Sequence, residues 1–282
     1  MLRWTAPEAA KDALTTQPAV CLTSQTVDVR AGEALFNSPA LLGGQAAKGG
    51  LSCASCHVNG RGNGHFVMAG VSDAPGTADV TNSFFSAARG NGRFDPVAIP
   101  DLALPGKVSR DPAAAALEPF IRTLIVEEFA GQEPTPAMLD ALAAYVRAIR
   151  PCASGVAFMP RTLSGQLRLV DAALDGAVGL ARRGDTVAAG VLVAAARHQL
   201  GLIAERYAAT PFRPQQRELL AASRALQTLA GEAVDPKQFA ISASAWRARF
   251  AAGLAQQLRE RERLSLYNPA NLAFVAPQRD SR

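Results

Sequence analysis

Apolar residues recur at intervals of three and four along the second half of the chain, which is the spacing that places them on one face of a helix. This pattern predicts four long helices near residues 161–183, 186–208, 213–230 and 236–264. Asp185 and Asp235 precede two of them and are predicted N-caps, the second followed by Pro236 at the first helical position. Because the connections are short, we expect consecutive helices to be antiparallel. The pattern therefore predicts an antiparallel helical bundle.

One face of each predicted helix should be buried. Six apolar residues align along the last helix, and they are Phe239, Ala243, Trp246, Phe250, Leu254 and Leu258. Trp246 is thus expected in the core rather than against a cofactor. On the second helix, His198 shares a face with Val187, Val191 and Leu202. We interpret it as a core or interface histidine in preference to a metal ligand, because no second His and no Glu-x-x-His arrangement accompanies it.

The first half is rich in Gly and Pro, and its periodicity predicts three helices. The first covers Val29 to Phe36, and the second covers Leu117 to Ala130 and stops at Gly131. The third has Thr135 as N-cap and ends before Pro151. Between them, residues 75–81 and 95–102 are predicted to form ordered loops.

The chain has 282 residues, which is enough for two cores. We divide it into an N-terminal extension (1–25), a first domain (26–152), the helical bundle (153–267) and a C-terminal tail (268–282). Residues 1–152 carry 12 Lys and Arg against 14 Asp and Glu, whereas residues 153–282 carry 17 against 10. The positive excess is thus confined to the second part. It is typical of arginines that solvate the outer faces of helices, and the alternative is a basic face that steers the molecule toward an acidic partner or an anionic surface.

Cys53-Ala-Ser-Cys56-His57 is the most specific motif in the chain, because C-x-x-C-H is the attachment signature of a c-type haem. Each thiol would form one thioether, and the imidazole of His57 would ligate the iron. Glycines on both sides of the motif would let backbone pack against a flat ring. The alternatives are a chance match to the motif and a C-x-x-C redox pair.

Cys21 and Cys152 remain once Cys53 and Cys56 are assigned to thioethers. An even remainder favours a disulfide between them in an oxidising compartment. Two buried, unpaired thiols are the alternative, since spacing alone does not place the two residues within reach.

The motifs of residues 26–152 resemble those of cytochrome c, specifically one haem domain of the bacterial cytochrome c peroxidase and MauG-like group. Three segments carry the resemblance, and they are Gly32-Glu33-Ala34-Leu35-Phe36, Leu51-Ser52-Cys53-Ala54-Ser55-Cys56-His57 and Leu142-Ala143-Ala144-Tyr145-Val146. The resemblance implies an all-α haem domain whose last helix closes over the ring. Those peroxidases carry two C-x-x-C-H motifs and this chain has one, so two-haem peroxidase chemistry is not implied.

The sequence does not identify the sixth iron ligand. In the resembling cytochromes a Met precedes the closing helix, but residues 115–130 contain none. His65 and Met68 are the distal candidates. Met138 is expected to fill space in the core or on the surface rather than to ligate, and Met159 would have to reach back from beyond the domain boundary. Arg61, Arg89 and Arg93 are candidates for pairing with haem propionates, and solvated surface positions are the more common alternative for each of them.

The sequence therefore predicts an exported, periplasmic c-type cytochrome with one covalent haem c and its iron, acting in electron transfer with a redox partner protein. The alternative is a mono-haem peroxidase-type enzyme or a sensor of peroxide or gas with an open distal site. No aromatic residues interleave the basic ones, so we expect no nucleic-acid partner. No apolar run approaches the about 20 residues that span a bilayer, so no transmembrane segment is expected. The first residues do not resemble a secretory signal. We give the C-x-x-C-H motif more weight than this and still expect an exported protein.

Overall fold

The structure, a computed structural model, describes residues 21–82, 84–85, 88–152, 161–233 and 235–274. The chain is mostly helical, in agreement with the predicted all-α class. Met159, most of the N-terminal extension and the end of the C-terminal tail lie outside the described residues.

Among the described residues up to 152 there are five α-helices. They are α1 (Val27–Phe36), α2 (Gly44–Lys48), α3 (Cys53–Cys56), α4 (Leu117–Thr123, continued by a π-helical turn, Leu124–Glu128) and α5 (Pro136–Ala148). Four two-residue strands pair antiparallel, β1 (Cys21–Leu22) with β4 (Ile149–Arg150), and β2 (Thr77–Ala78) with β3 (Val97–Ala98). The segments predicted as separate loops thus contact each other through β2 and β3.

The described residues from 161 onward contain five further α-helices, and they are α6 (Leu163–Arg182), α7 (Thr186–Arg206), α8 (Arg213–Glu232), α9 (Pro236–Ala252) and α10 (Leu254–Glu260). The predicted N-caps are confirmed, because Asp185 accepts from the N–H of Ala188 and Asp235 accepts from the N–H of Lys237. The prediction of a single helix over residues 236–264 is wrong. Gly253 interrupts it with a non-helical backbone, so that α9 ends at Ala252 and a separate helix, α10, starts at Leu254.

Glycines let α1 contact both halves of the chain. A Cβ at Gly32 would lie 1.9 Å from the carbonyl oxygen of Ala141 on α5. On α6, a Cβ at Gly176 would lie 2.7 Å from the Cβ of Ala31. Because α1 packs on α5, α6 and α7, one hydrophobic core runs continuously across residue 152.

The buried face of α7 differs from the predicted one. Val187 is 63% exposed, and His198 and Val191 are only half-buried. Alanines and leucines fill the interface instead, and they include Ala188, Ala189, Leu192, Ala195, Ala196 and Leu200. Small alanine side chains allow the helices to approach closely. A prediction based on the spacing of large apolar residues does not identify such an alanine-lined face. By contrast, Phe239, Ala243 and Trp246 on α9 are buried as predicted.

By length and composition alone, α7 could cross a membrane. Half of its apolar window is nevertheless buried against neighbouring helices, and the core helix of a soluble protein meets the same criterion.

The predicted apolar stripe of the second helix is only partly buried. Leu117 and Ile125 lie in the core, but Phe120 is 43% exposed. The π-helical turn at Leu124–Glu128 rotates the residues after Thr123 away from the regular helical spacing, so the side chains no longer form one continuous face.

Candidate functional site

The C-x-x-C-H motif forms one helical turn, α3, with His57 at its C-cap. Ser52 and Ser55 form a capping box, in which the N–H of Ser52 donates to the Ser55 hydroxyl at 3.1 Å. The amide of Asn63 donates to the Ser55 carbonyl at 2.9 Å and ties the outgoing loop to the turn. These bonds fix both thiols and the imidazole on one rigid turn.

Two left-handed residues redirect the chain directly after His57. Asn59 has φ 57° and Gly60 has φ 69°, a conformation that Asn and Gly adopt at low cost. The carbonyl of Gly60 then accepts the N–H of Leu102 at 3.1 Å. The turn thus brings the segment after the motif against residues 99–104.

This returning segment orients His57. The imidazole Nδ1 lies 3.0 Å from the carbonyl oxygen of Pro100. Because a carbonyl only accepts, Nδ1 carries the proton and Nε2 of the neutral ring keeps its lone pair. Burial lowers the pKa of His57 and favours that neutral form. The ring is therefore held in the tautomer that a metal ligand requires.

Arg61 and Asp101 fasten the same two segments. The Arg61 Nε donates to Asp101 at 2.7 Å, and its Nη2 lies 2.6 Å from the same carboxylate. The Arg61 guanidinium helps to hold the pKa of Asp101 below its usual value, against the opposing effect of burial. This ion pair holds the returning segment, and with it the carbonyl of Pro100, against His57.

Burial raises the pKa of Cys53 to about 12 and that of Cys56 to about 11. Both are free thiols and are protonated at neutral pH. A C-x-x-C redox pair needs the opposite, a nucleophilic cysteine with a lowered pKa. This environment weighs against the redox-pair alternative.

The residues considered as the sixth iron ligand differ in how far they are exposed to solvent. His65 is exposed, and its backbone N–H donates to the side chain of Asn63. Met68 is half-buried against an apolar cluster that includes Val71, Ala78 and Phe85. Met138 on α5 is buried in the hydrophobic core, which is one of the two placements expected for it.

The arginines proposed for propionates have different surroundings. Arg61 pairs with Asp101, as described above, and Arg89 pairs with Glu128 at 3.2 Å. The backbone N–H of Arg93 donates to Asn91 in an exposed loop. Arg61 and Arg89 thus already have carboxylate partners within the chain.

The predicted disulfide between Cys21 and Cys152 is present, with a Cα–Cα distance of 5.3 Å. It joins the ends of the β1–β4 pair, in which Cys21 faces Arg150. The entry and exit of the first part of the chain are therefore fastened together.

Sequence reasoning missed Pro100 and Arg110. Pro100 is 43 residues from His57, and only the course of the loop brings it close. The guanidinium of Arg110 donates to the carbonyls of Leu102, Val146 and Ile149 at 2.6, 2.6 and 2.8 Å. Arg110 thereby links the returning segment (residues 99–104) to the C-terminal end of α5. Neither residue lies in a periodic pattern or motif that singles it out.

The donor set of the site fits a covalently attached haem. Two unpaired thiols and a neutral imidazole lie on one turn, and Phe36 packs 6.4 Å from the imidazole centroid. Large apolar side chains in the segment between the motif and α5 are also exposed, and they are Val67, Phe84, Phe94, Val97, Leu104 and Phe120. Uncovered apolar groups of this kind suit contact with a large apolar ligand. Within the described residues, no group of three or more His, Cys, Asp or Glu side chains forms a separate metal site.

No protein-family model, curated protein or solved structure matches the chain. The assignment of the site therefore depends on its own residues and their geometry.

Proposed function

We propose that the chain is an exported c-type cytochrome with one covalent haem c, acting in electron transfer. The observation that carries the proposal is the C-x-x-C-H turn, in which Cys53 and Cys56 are free and His57 is hydrogen-bonded through Nδ1 to Pro100. The first part of the chain would form the cytochrome c-like domain, and α6–α9 would form an antiparallel bundle beside it.

Each residue of the turn has a distinct role in this proposal. Cys53 and Cys56 would hold the macrocycle through thioethers, and Nε2 of His57 would ligate its iron. Pro100 fixes the ring orientation of His57, and Arg61 with Asp101 holds Pro100 in place. When bound, the haem supplies an iron that alternates between the ferric and ferrous states.

Two further observations support export and a protein partner. The Cys21–Cys152 disulfide suits an oxidising compartment such as the periplasm. The basic excess of residues 153–282 would steer an acidic redox protein toward the molecule.

Attachment is tested by a haem stain of denatured protein after export with a haem-attachment system. We expect the wild type to keep its haem and the Cys53→Ala/Cys56→Ala variant to lose it. The matched control is Cys21→Ala/Cys152→Ala, which removes the same number of thiols and should keep the haem. Equal staining of both double variants would refute the thioether assignment.

Electron transfer is tested by optical spectra in both oxidation states, with and without carbon monoxide. A low-spin spectrum that the gas leaves unchanged means a filled sixth position and supports an electron carrier. High-spin ferric haem with ready gas binding would instead support the enzyme or sensor, an alternative favoured by the lack of Met in residues 115–130.

The sixth ligand is tested in the same spectra with Met68→Ala and His65→Ala. The half-buried, apolar surroundings of Met68 favour it over the exposed His65. If the low-spin wild type becomes high-spin only in Met68→Ala, the thioether is the ligand. If neither change alters the spectrum, both candidates are excluded.

A further inference from the structure

A cavity of about 270 Å³ lies between the C-x-x-C-H turn and the helices α6 and α7. Ser52, Ala54 and Ser55 form one wall, so the cavity adjoins the motif without including its thiols or its imidazole. Polar residues of α6 and α7 form the opposite wall. The volume is below the range of pockets for drug-sized molecules and suits a small ion or metabolite.

Two arginines line this cavity. Part of the Arg161 side chain is exposed to solvent. Desolvation of its guanidinium by the surrounding protein, together with the nearby charge of Arg206, lowers the pKa of Arg161. Both side chains stay cationic at neutral pH, since Arg is not deprotonated in proteins. Neither forms an ion pair with a carboxylate among the residues that the structure describes. Two like charges therefore face one cavity, and neither is paired with a carboxylate of the described residues.

The remaining charges of the lining do not cancel this pair. Glu205 contributes one carboxylate and is exposed. Burial lowers the pKa of His198, so its ring is neutral at pH 7 and offers one N–H donor. The lining thus keeps a net positive charge together with several uncharged donors.

Hydrogen bonds already hold the polar walls in place. The Gln199 amide donates to the Asn37 carbonyl at 3.0 Å, and the Tyr267 hydroxyl donates to Gln166. The Arg206 guanidinium lies 6.0 Å from the ring centroid of Tyr267, a contact that leaves its N–H donors available. A wall ordered before binding reduces the entropic cost of holding a ligand.

We propose that this cavity binds a small multivalent oxyanion, of the phosphate or short dicarboxylate class, between Arg161 and Arg206. A guanidinium presents forked donors that match both phosphate and carboxylate oxygens. The bound anion would also relieve the repulsion between the two cations. The proposal is independent of the electron-transfer function, because none of the three groups that would hold the haem lines the cavity.

The test is isothermal titration of the full-length protein with sodium phosphate and, separately, sodium succinate, at constant ionic strength set with chloride. We expect saturable one-to-one binding of at least one anion, and the tighter of the two identifies the class. Arg161→Gln and Arg206→Gln should each weaken binding about tenfold or more, because each removes charged hydrogen bonds. Far-ultraviolet circular dichroism checks that each variant is folded.

Arg217→Gln is the matched control. It removes the same charge from an exposed position on α8 that does not line the cavity. Its affinity should equal that of the wild type. Absence of saturable binding in the wild type, or unchanged affinity in the folded Arg161→Gln/Arg206→Gln variant, would overturn the proposal.

Discussion

Glu33 is a fully buried carboxyl on α1, where Arg168 of α6 pairs with it. Burial raises the pKa of Glu33 from its usual value of 4.5, and the pairing with Arg168 only partly opposes this effect. Between the unfolded and the native pKa, the folded chain binds more protons than the unfolded chain. The free energy of unfolding contributed by Glu33 therefore falls as the pH rises from 4.5 through the native pKa.

Glu33→Gln should remove this pH dependence, because an amide resembles the protonated acid and does not titrate. We expect the variant to match the wild type near pH 4.5 and to gain stability relative to it as the pH rises. Urea unfolding at several pH values, followed by circular dichroism, measures the difference.

Glu118→Gln is the control of opposite sign. The hydrogen bond from Arg147 lowers the pKa of Glu118, so its stabilisation is present at neutral pH and is lost on acidification. This variant should be less stable than the wild type at pH 7 and approach it at low pH. A Glu33→Gln curve of the same shape would mean that pairing with Arg168 outweighs burial.

Arg110 carries a second prediction at the residue scale. Its guanidinium donates to four carbonyls, three of them at the end of α5 and one in the returning loop. Arg110→Ala should cost about 3 kcal/mol, because buried carbonyls lose charged donors. Arg110→Lys should recover only part of this, since one ammonium cannot reproduce the planar fork. Urea unfolding gives the free energies, and equal stability of both variants would contradict the bridging role.

At the scale of elements, α1 is positioned by the absence of a side chain at Gly32. Gly32→Ala should cost about 3 kcal/mol, the upper end for overpacking, because the new Cβ would meet the backbone carbonyl of Ala141. Thermal and urea unfolding measure the loss.

Gly190→Ala is the matched control for this change. Gly190 lies within α7, and a Cβ there would meet no atom within 4 Å. The substitution should stabilise the protein by about 0.5–1 kcal/mol, through helix propensity alone. Similar effects of the two substitutions would show that the α1–α5 contact is not close.

The sequence predicted those elements whose signals are local. The caps at Thr135, Asp185 and Asp235 depend on a few neighbouring residues, and all three are confirmed. The buried face of α7 was predicted wrongly, because alanine is compatible with both a core and a surface. The break at Gly253 was missed for a similar reason, since the apolar spacing continues through it.

At the site, the sequence located the three residues of the C-x-x-C-H turn but not what orients them. Pro100 reaches His57 through the left-handed turn at Asn59 and Gly60 and through the Arg61–Asp101 pair. Such contacts depend on the path of a long loop, which hydrophobic periodicity does not encode. The basic cavity was also beyond prediction, because Arg161 and Arg206 are 45 positions apart in the chain.

At the scale of the whole molecule, the two parts of the chain share one core through α1 and α6. Ion pairs reinforce this contact, with Arg30 of α1 and Arg247 of α9 both pairing with Asp175 of α6. The proposed haem domain is therefore supported by the C-terminal helices on the side of α1. Changes in α6 should be transmitted to the helix that packs against the motif.

The Cys21–Cys152 disulfide closes a loop with a sequence separation of 131 residues around the proposed haem site. In the chain-entropy model, a loop of this length stabilises the folded state by about 5 kcal/mol, and native disulfides typically give about 2–5 kcal/mol. Cys21→Ser/Cys152→Ser should therefore unfold at a clearly lower urea concentration. The β1–β4 pair alone is too short to replace the covalent link, since each strand has two residues.

A reductant distinguishes the disulfide from two unpaired thiols. Dithiothreitol should lower the unfolding midpoint of the wild type to that of the double variant and leave the variant unchanged. Thioethers are not reduced under these conditions, so any attached haem remains a constant background. If the wild type and the variant unfold alike with and without reductant, the two cysteines are free thiols, and the C-x-x-C-H turn alone then indicates an oxidising compartment.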